Sequence, residues 1–515
     1  MVHWWFANVL ATEGARLNLA SIIDNHPDDQ VAIISRGEPT TYGELRDQVA
    51  RLRGGFVGLG IEPGDRVAIV ASNNWYFVVA YLAAVGVGAV AVPLNPSSPA
   101  AEIEIELSTI SARAVVLGPT GARAFRACDR AAIPTVEFVV EAAASESSDV
   151  VALDELMAAA PVDVLDRADD DLAVMMFTSG TAGRPKAAML SHRNLLSNIE
   201  QQHSLPTRTQ NPDDVVFGVL PLFHIFGLNV VLAGSLATGS TVLLVERFDP
   251  QSSIDAIRKH GVTVISGAPT MYAAWAALPG VTHADFATVR RAASGASKLH
   301  LETAEAVEAR LGFELVEGYG LTEASPVVTT GVGVPAPRGS IGVPLSGLSI
   351  RLVDADGQDA LIGDPGELWV KGPNVFMGYW ENPEATANCL TADGWLRTGD
   401  IAVVDDDGFI FLVDRAKDLI IVSGFNVYPA EVEDVIIEHP GVEAVAVVGV
   451  EHPYSGEAVK AYVVPSGTPA VEEDDIIEFC ETRLARYKCP GKVLFVDELP
   501  QGLGGKVLKR ELRIV

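Results

Sequence analysis

A segment rich in glycine and hydroxyl residues, Phe177 to Lys186, reads FTSGTAGRPK. Its hydroxyl groups and unhindered backbone N–H groups stand beside one cation, and the residues concerned are Thr178, Ser179, Gly180, Thr181, Gly183 and Lys186. Glycines let the main chain approach an anion closely, and a nest of N–H groups binds its oxygens. This segment, called the phosphate loop below, therefore predicts a site for phosphate groups. Taken alone, it is equally typical of an exposed turn.

The phosphate loop is not a Walker loop. That motif needs Gly and Lys adjacent and then Ser or Thr. In this sequence Arg184 and Pro185 separate Gly183 from Lys186, and Ala187 follows.

Four further motifs follow in order: GYGLTE at Gly318 to Glu323, RTGD at Arg397 to Asp400, DRAKD at Asp414 to Asp418, and GGK at Gly504 to Lys506. With the phosphate loop, they resemble the adenylate-forming superfamily of acyl-CoA synthetases, luciferases and peptide-synthetase adenylation domains. The resemblance covers nearly the whole chain and is greatest to fatty-acyl-CoA synthetases. It implies that ATP activates a carboxylic acid as an acyl-adenylate, which CoA then opens to give acyl-CoA, AMP and pyrophosphate.

The resemblance also implies the nucleotide contacts, with ATP, Mg²⁺ and CoA as cofactor and co-substrates. The phosphate loop would hold the β- and γ-phosphates. Tyr319 would lie against adenine, Thr322 would bond the α-phosphate, and Glu323 would bind Mg²⁺, a hard cation for which one carboxylate plus phosphate oxygens and water suffices. Asp400 would accept hydrogen bonds from the ribose hydroxyls, and Arg415 would donate to ribose or phosphate.

The C-terminal region carries the residues implied for the two half-reactions. Lys506 would bridge the attacking carboxylate and the α-phosphate as charge builds. A thiol must then reach the acyl carbon from the side that Lys506 occupies, so the C-terminal domain must move. Lys417 would be the pivot, and Gly424 would line the pantetheine tunnel, where any side chain could block a narrow channel.

The segment Pro221 to Gly239, PLFHIFGLNVVLAGSLATG, resembles the region that borders the acyl pocket, with His224 at the aromatic gate. Its small residues either leave space for an alkyl chain or permit tight helix packing; they are Gly227, Ala233, Gly234 and Ala237. The mostly apolar neighbours predict a medium- or long-chain fatty acid, with an aryl or cinnamic acid as the alternative. Lys298 stands where the family usually has Pro, which leaves its effect on the pocket open.

Two other functions remain to be distinguished. A carrier-loading enzyme makes the same adenylate but transfers the acyl group to a protein-bound pantetheine. A nucleotide-binding regulator would have lost the chemistry, and the presence of Lys506, Glu323 and Asp400 argues against it.

Length and charge limit the class of protein. A chain of 515 residues exceeds one ordinary core, so we expect at least two domains. The net charge of −30 disfavours nucleic acid and anionic membrane as partners. The expected partners are instead the small-molecule acid, ATP and CoA. The cysteines lack paired or zinc-ligand spacing, which predicts reduced thiols.

Targeting signals are not evident. The first residues lack a basic region followed by a long apolar run, and apolar runs such as Tyr81 to Leu94 are shorter than the ~20 residues of a membrane span. We therefore expect a cytoplasmic enzyme. The aromatic cluster Trp4 to Phe6 would pack as an N-terminal helix or touch a lipid surface peripherally. The sequence does not indicate an oligomeric state.

The order of elements predicts an α/β fold. A capping box of Thr41 and Glu44 begins an amphipathic helix that runs to Leu59. Short β-branched runs alternate with helix-length segments; they are Val67 to Val70, Ala89 to Val92, Ala114 to Leu117, Val174 to Phe177, Val215 to Leu220, Val242 to Val245 and Val262 to Ile265. This pattern favours helix-covered parallel sheets with ligands at the carboxyl ends of the strands.

Composition places the predicted domain boundaries, and the resemblance implies the roles of the domains. Residues 1–413 form a large N-terminal ATP- and acyl-binding domain, which includes a β-rich subdomain at about 339–412. Residues 414–417 form a hinge. Residues 418–515 form a small, mobile α/β C-terminal lid domain, with helix candidates at Pro429 to Glu438 and Asp474 to Tyr487.

Overall fold

The computed structural model describes residues 18–142, 150–178, 185–205, 210–415, 418–422, 425–452, 456–468, 470–501 and 507–513. The chain divides into two compact units. The first comprises Met1–Pro335, Pro344–Ser349 and Lys371–Leu396, and the second comprises Ala336–Val343, Ile350–Val370 and Arg397–Val515.

The strands of the first unit form two sheets. They are β1 (Val31–Ser35), β2 (Glu38–Thr41), β3 (Arg66–Val70), β4 (Val90–Leu94), β5 (Ala114–Leu117), β6 (Phe138–Glu141), β7 (Val151–Ala152), β8 (Leu172–Thr178), β9 (Lys186–Ser191), β10 (Val215–Gly218), β11 (Thr241–Leu244), β12 (Val264–Gly267), β13 (Arg291–Ser294), β14 (Leu315–Gly320), β15 (Val327–Thr330) and β16 (Val343–Pro344). A seven-stranded sheet has the order β7-β6-β5-β3-β4-β8-β9, and a nine-stranded sheet has the order β16-β15-β14-β13-β12-β10-β11-β1-β2. Most neighbours are parallel, whereas the pairs β8–β9, β14–β15 and β1–β2 are antiparallel.

Helices connect these strands. They are Tyr42–Gly58, Trp75–Gly86, Ala100–Thr109, Pro119–Phe125, Leu153–Met157, His192–His203, Gly234–Thr238, Pro250–His260, Pro269–Ala277, Leu301–Leu311 and Pro383–Cys389, with a π-helix at Phe226–Ala233. The predicted capping box of Thr41 and Glu44 is confirmed, because each side chain bonds the other residue's backbone N–H. The helix Trp75–Gly86 is apolar on nearly every side and correspondingly buried.

The second unit contains two smaller sheets. Its strands are β17 (Ser349–Val353), β18 (Gly366–Lys371), β19 (Leu396–Val404), β20 (Ile410–Arg415), β21 (Ile420–Val422), β22 (Phe425–Val427), β23 (Val442–His452), β24 (Gly456–Pro465) and β25 (Lys492–Phe495), and its helices are Pro429–Ile437, Glu473–Glu481 and Lys509–Leu512. Strands β17 to β20 form one four-stranded sheet, and β21 to β25 form another sheet. A buried aliphatic cluster joins the second sheet to its helices.

The predicted α/β class is confirmed, and the predicted strands occur with ends shifted by at most two residues. One helix is shorter than predicted: Asp474 to Tyr487 was expected, but the helix is Glu473–Glu481. The hydroxyl of Thr482 donates to the Phe479 carbonyl oxygen at 2.9 Å, a local bond that competes with helix continuation. The hinge at 414–417 stays a prediction, and residues 416 and 417 lie outside the described residues.

All four cysteines lie in the described part of the chain and are free thiols, as predicted. No helix among the described residues has both the length and the apolar character needed to cross a bilayer.

Candidate active site

The GYGLTE motif lies at the end of β14 and continues into a short 3₁₀ turn, Thr322–Ala324. The backbone returns sharply to β15, and the Leu321 N–H donates to the Pro326 carbonyl oxygen at 3.0 Å. A Cβ at Gly320 would overlap that same carbonyl oxygen, so only glycine fits there. The turn exposes Thr322 and Glu323 in part, while Tyr319 is largely buried.

Buried amide side chains hold this turn. Asn229 of the π-helix donates to the Ser325 carbonyl oxygen at 2.7 Å. Asn374 donates to the Ala324 carbonyl oxygen at 2.7 Å, and Asn198 donates to the Val327 carbonyl oxygen at 2.8 Å. Because all three amides are buried, each bond satisfies a backbone group that water does not reach. The position of Glu323 is therefore fixed by groups distant in sequence.

Glu323 has a partner that the sequence did not reveal. The Tyr379 hydroxyl donates to Glu323 Oε1 at 2.5 Å, and Lys186 Nζ lies 5.1 Å from the centre of the Tyr379 ring. Burial and the Glu323 carboxylate raise the pKa of Tyr379, so the hydroxyl remains a donor. Burial also raises the pKa of the neighbouring Cys389 thiol to about 11, which makes it unreactive. No short motif in the sequence predicts this contact.

The two ends of the phosphate loop lie side by side. Thr178 ends β8, Lys186 begins β9, and the two residues are paired in the antiparallel ladder. The phosphate loop therefore leaves the sheet at the carboxyl end of β8, the end of a strand at which the sequence pattern predicts ligands. Ser179, Gly180, Thr181 and Gly183 lie outside the described residues.

His224 lies just before the π-helix. Its side chain is exposed to solvent, and desolvation by the surrounding protein lowers its pKa. The Phe226 N–H donates to His224 Nδ1 at 3.3 Å, which indicates a neutral ring protonated on Nε2. Phe226 in turn reaches the segment that precedes Lys298, because a Cβ at Gly295 would lie 3.0 Å from Phe226 Cε1.

The small residues near His224 are mostly packed. A Cβ at Gly227 would overlap the carbonyl oxygen of Pro221, and Ala233, Gly234 and Ala237 are buried. Close packing thus accounts for Gly227. Nearby, Glu317 accepts a bond from the Leu299 N–H at 3.1 Å. Burial raises the pKa of Glu317, which the charge of Lys298 partly opposes, so these two opposite charges are close.

In the second unit, Asp400 is 5% exposed and is paired with Arg415 across β19 and β20. The Asp400 N–H donates to Thr398 Oγ1 at 3.1 Å. Gly424 and Lys506 lie outside the described residues, as does the predicted pivot Lys417.

The residues around Glu323 suit Mg²⁺. No three His, Cys, Asp or Glu side chains cluster as a preformed metal site within the part of the chain that the structure describes. Mg²⁺ rarely needs such a cage, because it keeps several waters and binds through one or two carboxylates plus substrate phosphates. Tyr379 occupies Oε1 of Glu323, which leaves the carboxylate with further lone pairs for a cation.

Comparison with known proteins agrees with this site. The AMP-binding enzyme family matches residues 19–380, and the AMP-binding enzyme C-terminal domain matches residues 431–506. A feruloyl-CoA synthase of an Amycolatopsis species is 39% identical over 487 residues, 94% of this chain and 95% of that protein. A long-chain-fatty-acid–CoA ligase of Yersinia pestis is 38% identical over 522 residues, 94% of this chain and 91% of that protein. The crystal structure of ATP-bound MatB from Rhodopseudomonas palustris superposes with a TM-score of 0.89 at 34% identity, covering 97% of this chain and 98% of that one.

The chain therefore belongs to the AMP-binding enzyme family of the adenylate-forming superfamily. It is an AMP-forming acid–CoA ligase, whose substrates are a small-molecule acid, ATP and CoA and whose metal ion is Mg²⁺.

Proposed function

We propose that the acid is a medium- or long-chain fatty acid. The observation that carries this proposal is the apolar character of the segment at the predicted pocket border. The π-helix Phe226–Ala233 follows His224, and the whole segment from Pro221 to Gly239 contains no Asp, Glu, Lys or Arg. An apolar border favours an acid with an uncharged apolar body, since each buried methylene contributes roughly 0.8 kcal/mol. π-Helical turns also occur often at functional sites.

In the proposed first step, the acid carboxylate attacks the α-phosphorus of ATP and pyrophosphate leaves. Lys186 and the phosphate loop would hold the β- and γ-phosphates, and Glu323 would hold Mg²⁺, which neutralises phosphate charge when bound. Thr322 would donate to the α-phosphate. Lys506 would stabilise the oxygens that gain charge, as an aimed cation does in phosphoryl transfer.

The other assignments concern nucleoside binding and the thiol. Tyr319 would contact adenine, while Asp400 and Arg415 would contact ribose. In the second step, rotation about Lys417 would withdraw Lys506 and bring Gly424 to the path of pantetheine. His224 would border the acyl chain at the entrance used by the thiol. We also propose the cytoplasm as the site of action, supported by four free thiols, which are typical of a reducing compartment.

An aryl acid such as a cinnamic acid is the second candidate. The specific support for it is the feruloyl-CoA synthase, which is as similar to this chain as the long-chain ligase is. A ring and an alkyl chain both need an apolar pocket, but a ring needs a wider and shorter one. The two candidates therefore differ in pocket length.

A panel of acids tests the proposal. The enzyme is supplied with ATP, Mg²⁺ and either CoA or a phosphopantetheinylated carrier protein. The acids are octanoic, dodecanoic, hexadecanoic, benzoic, cinnamic and ferulic acids, with malonic acid as a charged control. Pyrophosphate release reports adenylation, and the thioester mass reports transfer. Highest kcat/KM with a fatty acid and CoA supports the proposal. Highest kcat/KM with cinnamic or ferulic acid would replace it by the aryl function, and transfer to the carrier alone would make the enzyme a carrier-loading one.

A further inference from the structure

Tyr379 joins two parts of the site that are far apart in sequence. Its hydroxyl donates to Glu323 Oε1 at 2.5 Å, and the face of its ring lies 5.1 Å from Lys186 Nζ. One side chain thus contacts both the carboxylate proposed for Mg²⁺ and the cation proposed for the phosphates.

The backbone around Tyr379 is held firmly against β9. Tyr379 pairs with Ala188 in an isolated antiparallel bridge, and the Trp380 N–H donates to the Ala187 carbonyl oxygen at 2.9 Å. The Tyr379 N–H itself donates to Thr386 Oγ1 at 2.9 Å. The chain therefore presents this ring from a backbone segment bonded to β9 rather than from a loose loop.

The same segment also contacts the turn that carries Glu323. The Phe376 N–H donates to the Glu323 carbonyl oxygen at 2.9 Å, and the Phe376 ring packs edge-on against Tyr379 with centroids 5.0 Å apart. Gly378 has φ of +116°, a backbone conformation that favours glycine, and it allows the chain to turn between these two aromatic residues. Backbone and side chain together fix the distance between Tyr379 and Glu323.

We propose that Tyr379 is a positioning residue, whose hydroxyl orients the Glu323 carboxylate for Mg²⁺ and whose ring keeps the Lys186 ammonium directed at the nucleotide phosphates. This inference rests on the roles proposed above for Glu323 and Lys186. It adds to them a third residue, which acts through these two side chains.

Charge explains why such a residue is needed. The Lys186 ammonium and the Glu323 carboxylate carry opposite charges and both contact Tyr379, so they attract each other when no ATP is bound. A direct ion pair between them would occupy both the metal ligand and the phosphate ligand. The Tyr379 hydroxyl satisfies one carboxylate oxygen and its ring satisfies the ammonium by a cation–π contact, so both groups stay available.

The test is the Mg²⁺ dependence of ATP binding, measured by calorimetry without any acid. Tyr379→Phe retains the ring and removes the hydroxyl. Loss of a group that orients a metal ligand typically lowers metal affinity 10- to 100-fold. We therefore expect the Mg²⁺ concentration that gives half of the full ATP affinity to rise about tenfold or more in Y379F. The Mg²⁺ requirement for pyrophosphate release should rise in parallel.

Two comparisons separate positioning from general stability. Tyr272→Phe removes another buried hydroxyl, which donates to the Ala293 carbonyl oxygen at 2.8 Å, and we expect it to leave the Mg²⁺ dependence unchanged. In a Glu323→Gln background, Tyr379→Phe should have no further effect on the Mg²⁺ dependence, because its action passes through that carboxylate.

An unchanged Mg²⁺ dependence in folded Y379F would overturn the inference, and so would an additive effect in the E323Q background. Should Y379F not fold, Tyr379→His and Tyr379→Leu form a second pair, because a ring N–H can still donate to Glu323 whereas leucine cannot. Equal Mg²⁺ dependence in that pair would also overturn it. The measurement needs no acid, so its outcome is independent of whether the fatty-acid assignment holds.

Discussion

Asp400 lies directly opposite Arg415 in the antiparallel pair β19 and β20. The motifs RTGD and DRAKD, separate in sequence, are thus cross-strand neighbours within the second unit. The Asp400 side chain is buried, and its backbone N–H is bonded to Thr398 Oγ1 at 3.1 Å. A buried carboxylate held in this way is a suitable acceptor for two hydroxyl donors.

We expect Asp400→Asn to raise the KM for ATP roughly 10-fold or more, since a hydrogen bond to a charged group contributes about 1.5 to 3 kcal/mol. The KM for the acid should change little. The control is 2′-deoxy-ATP, which lacks one of the two ribose donors. Asp400→Asn should therefore raise the KM for 2′-deoxy-ATP by a smaller factor than the KM for ATP. Equal loss with ATP and 2′-deoxy-ATP would contradict ribose recognition by Asp400.

The sequence was sufficient for the fold class and for local elements of secondary structure. The capping box of Thr41 and Glu44 and the strand predicted at Val174 to Phe177 are local features, set by side-chain type and period. The capping box occurs as predicted, and the strand is present but longer, at Leu172–Thr178. Local patterns predict well because the contacts that cause them lie within a few residues.

The sequence was not sufficient for contacts between distant segments. Tyr379 reaches Glu323 only because its segment pairs with β9, and no short motif encodes that pairing. The small residues near His224 show the same limit. Glycine in a helix is typical of both an open pocket and close packing. At Gly227 the reason is close packing, because the Pro221 carbonyl oxygen leaves no room for a Cβ.

Lys506→Ala should nearly abolish adenylate formation while largely sparing thioester formation from supplied acyl-adenylate. Loss of one aimed charge in a transition state lowers the rate roughly 10² to 10³-fold, which corresponds to about 3 to 4 kcal/mol. Pyrophosphate release measures the first half-reaction, and CoA-thioester mass measures the second. The neighbouring Lys509→Ala, whose ammonium forms an ion pair with Glu433 at 2.8 Å, is the matched charge control. Equal loss in both half-reactions would show that Lys506 is not confined to the first step.

Phe226→Ala and Gly227→Ala change adjacent residues but should affect different properties. The first should change the acid preference, and the second should change the stability. Phe226 is half-buried beside Gly295, so a smaller side chain should shift the acid preference by orders of magnitude in relative kcat/KM while the KM for ATP changes little. Gly227→Ala should instead lower stability by about 1 to 3 kcal/mol, since its Cβ would overlap the Pro221 carbonyl oxygen. A folded F226A enzyme with the parental acid profile would place the acyl pocket elsewhere.

The last prediction concerns pH and a histidine outside the active site. His192 is fully buried, and the Leu19 N–H donates to its Nδ1 at 3.0 Å, which ties the start of the described chain to the helix His192–His203. Burial, with a smaller effect of the Arg167 charge, lowers the pKa of His192 to about 4. The folded state therefore keeps the ring neutral, whereas the unfolded state takes up a proton below about pH 6.5.

These two pKa values determine how the free energy of unfolding changes with pH. Between about pH 6.5 and 4 the unfolded state binds more protons, so the free energy of unfolding falls as the pH falls. The loss from this residue between pH 7.5 and pH 5 should be about 2 kcal/mol. His192→Asn can still accept the Leu19 N–H through Oδ1 but cannot ionise. We therefore expect its free energy of unfolding, measured by denaturant titration, to fall between pH 7.5 and pH 5 by about 2 kcal/mol less than that of the parent. The exposed His300→Asn is the control and should keep the parental difference. An H192N protein that loses as much stability as the parent at pH 5 would show that other groups cause the acid sensitivity.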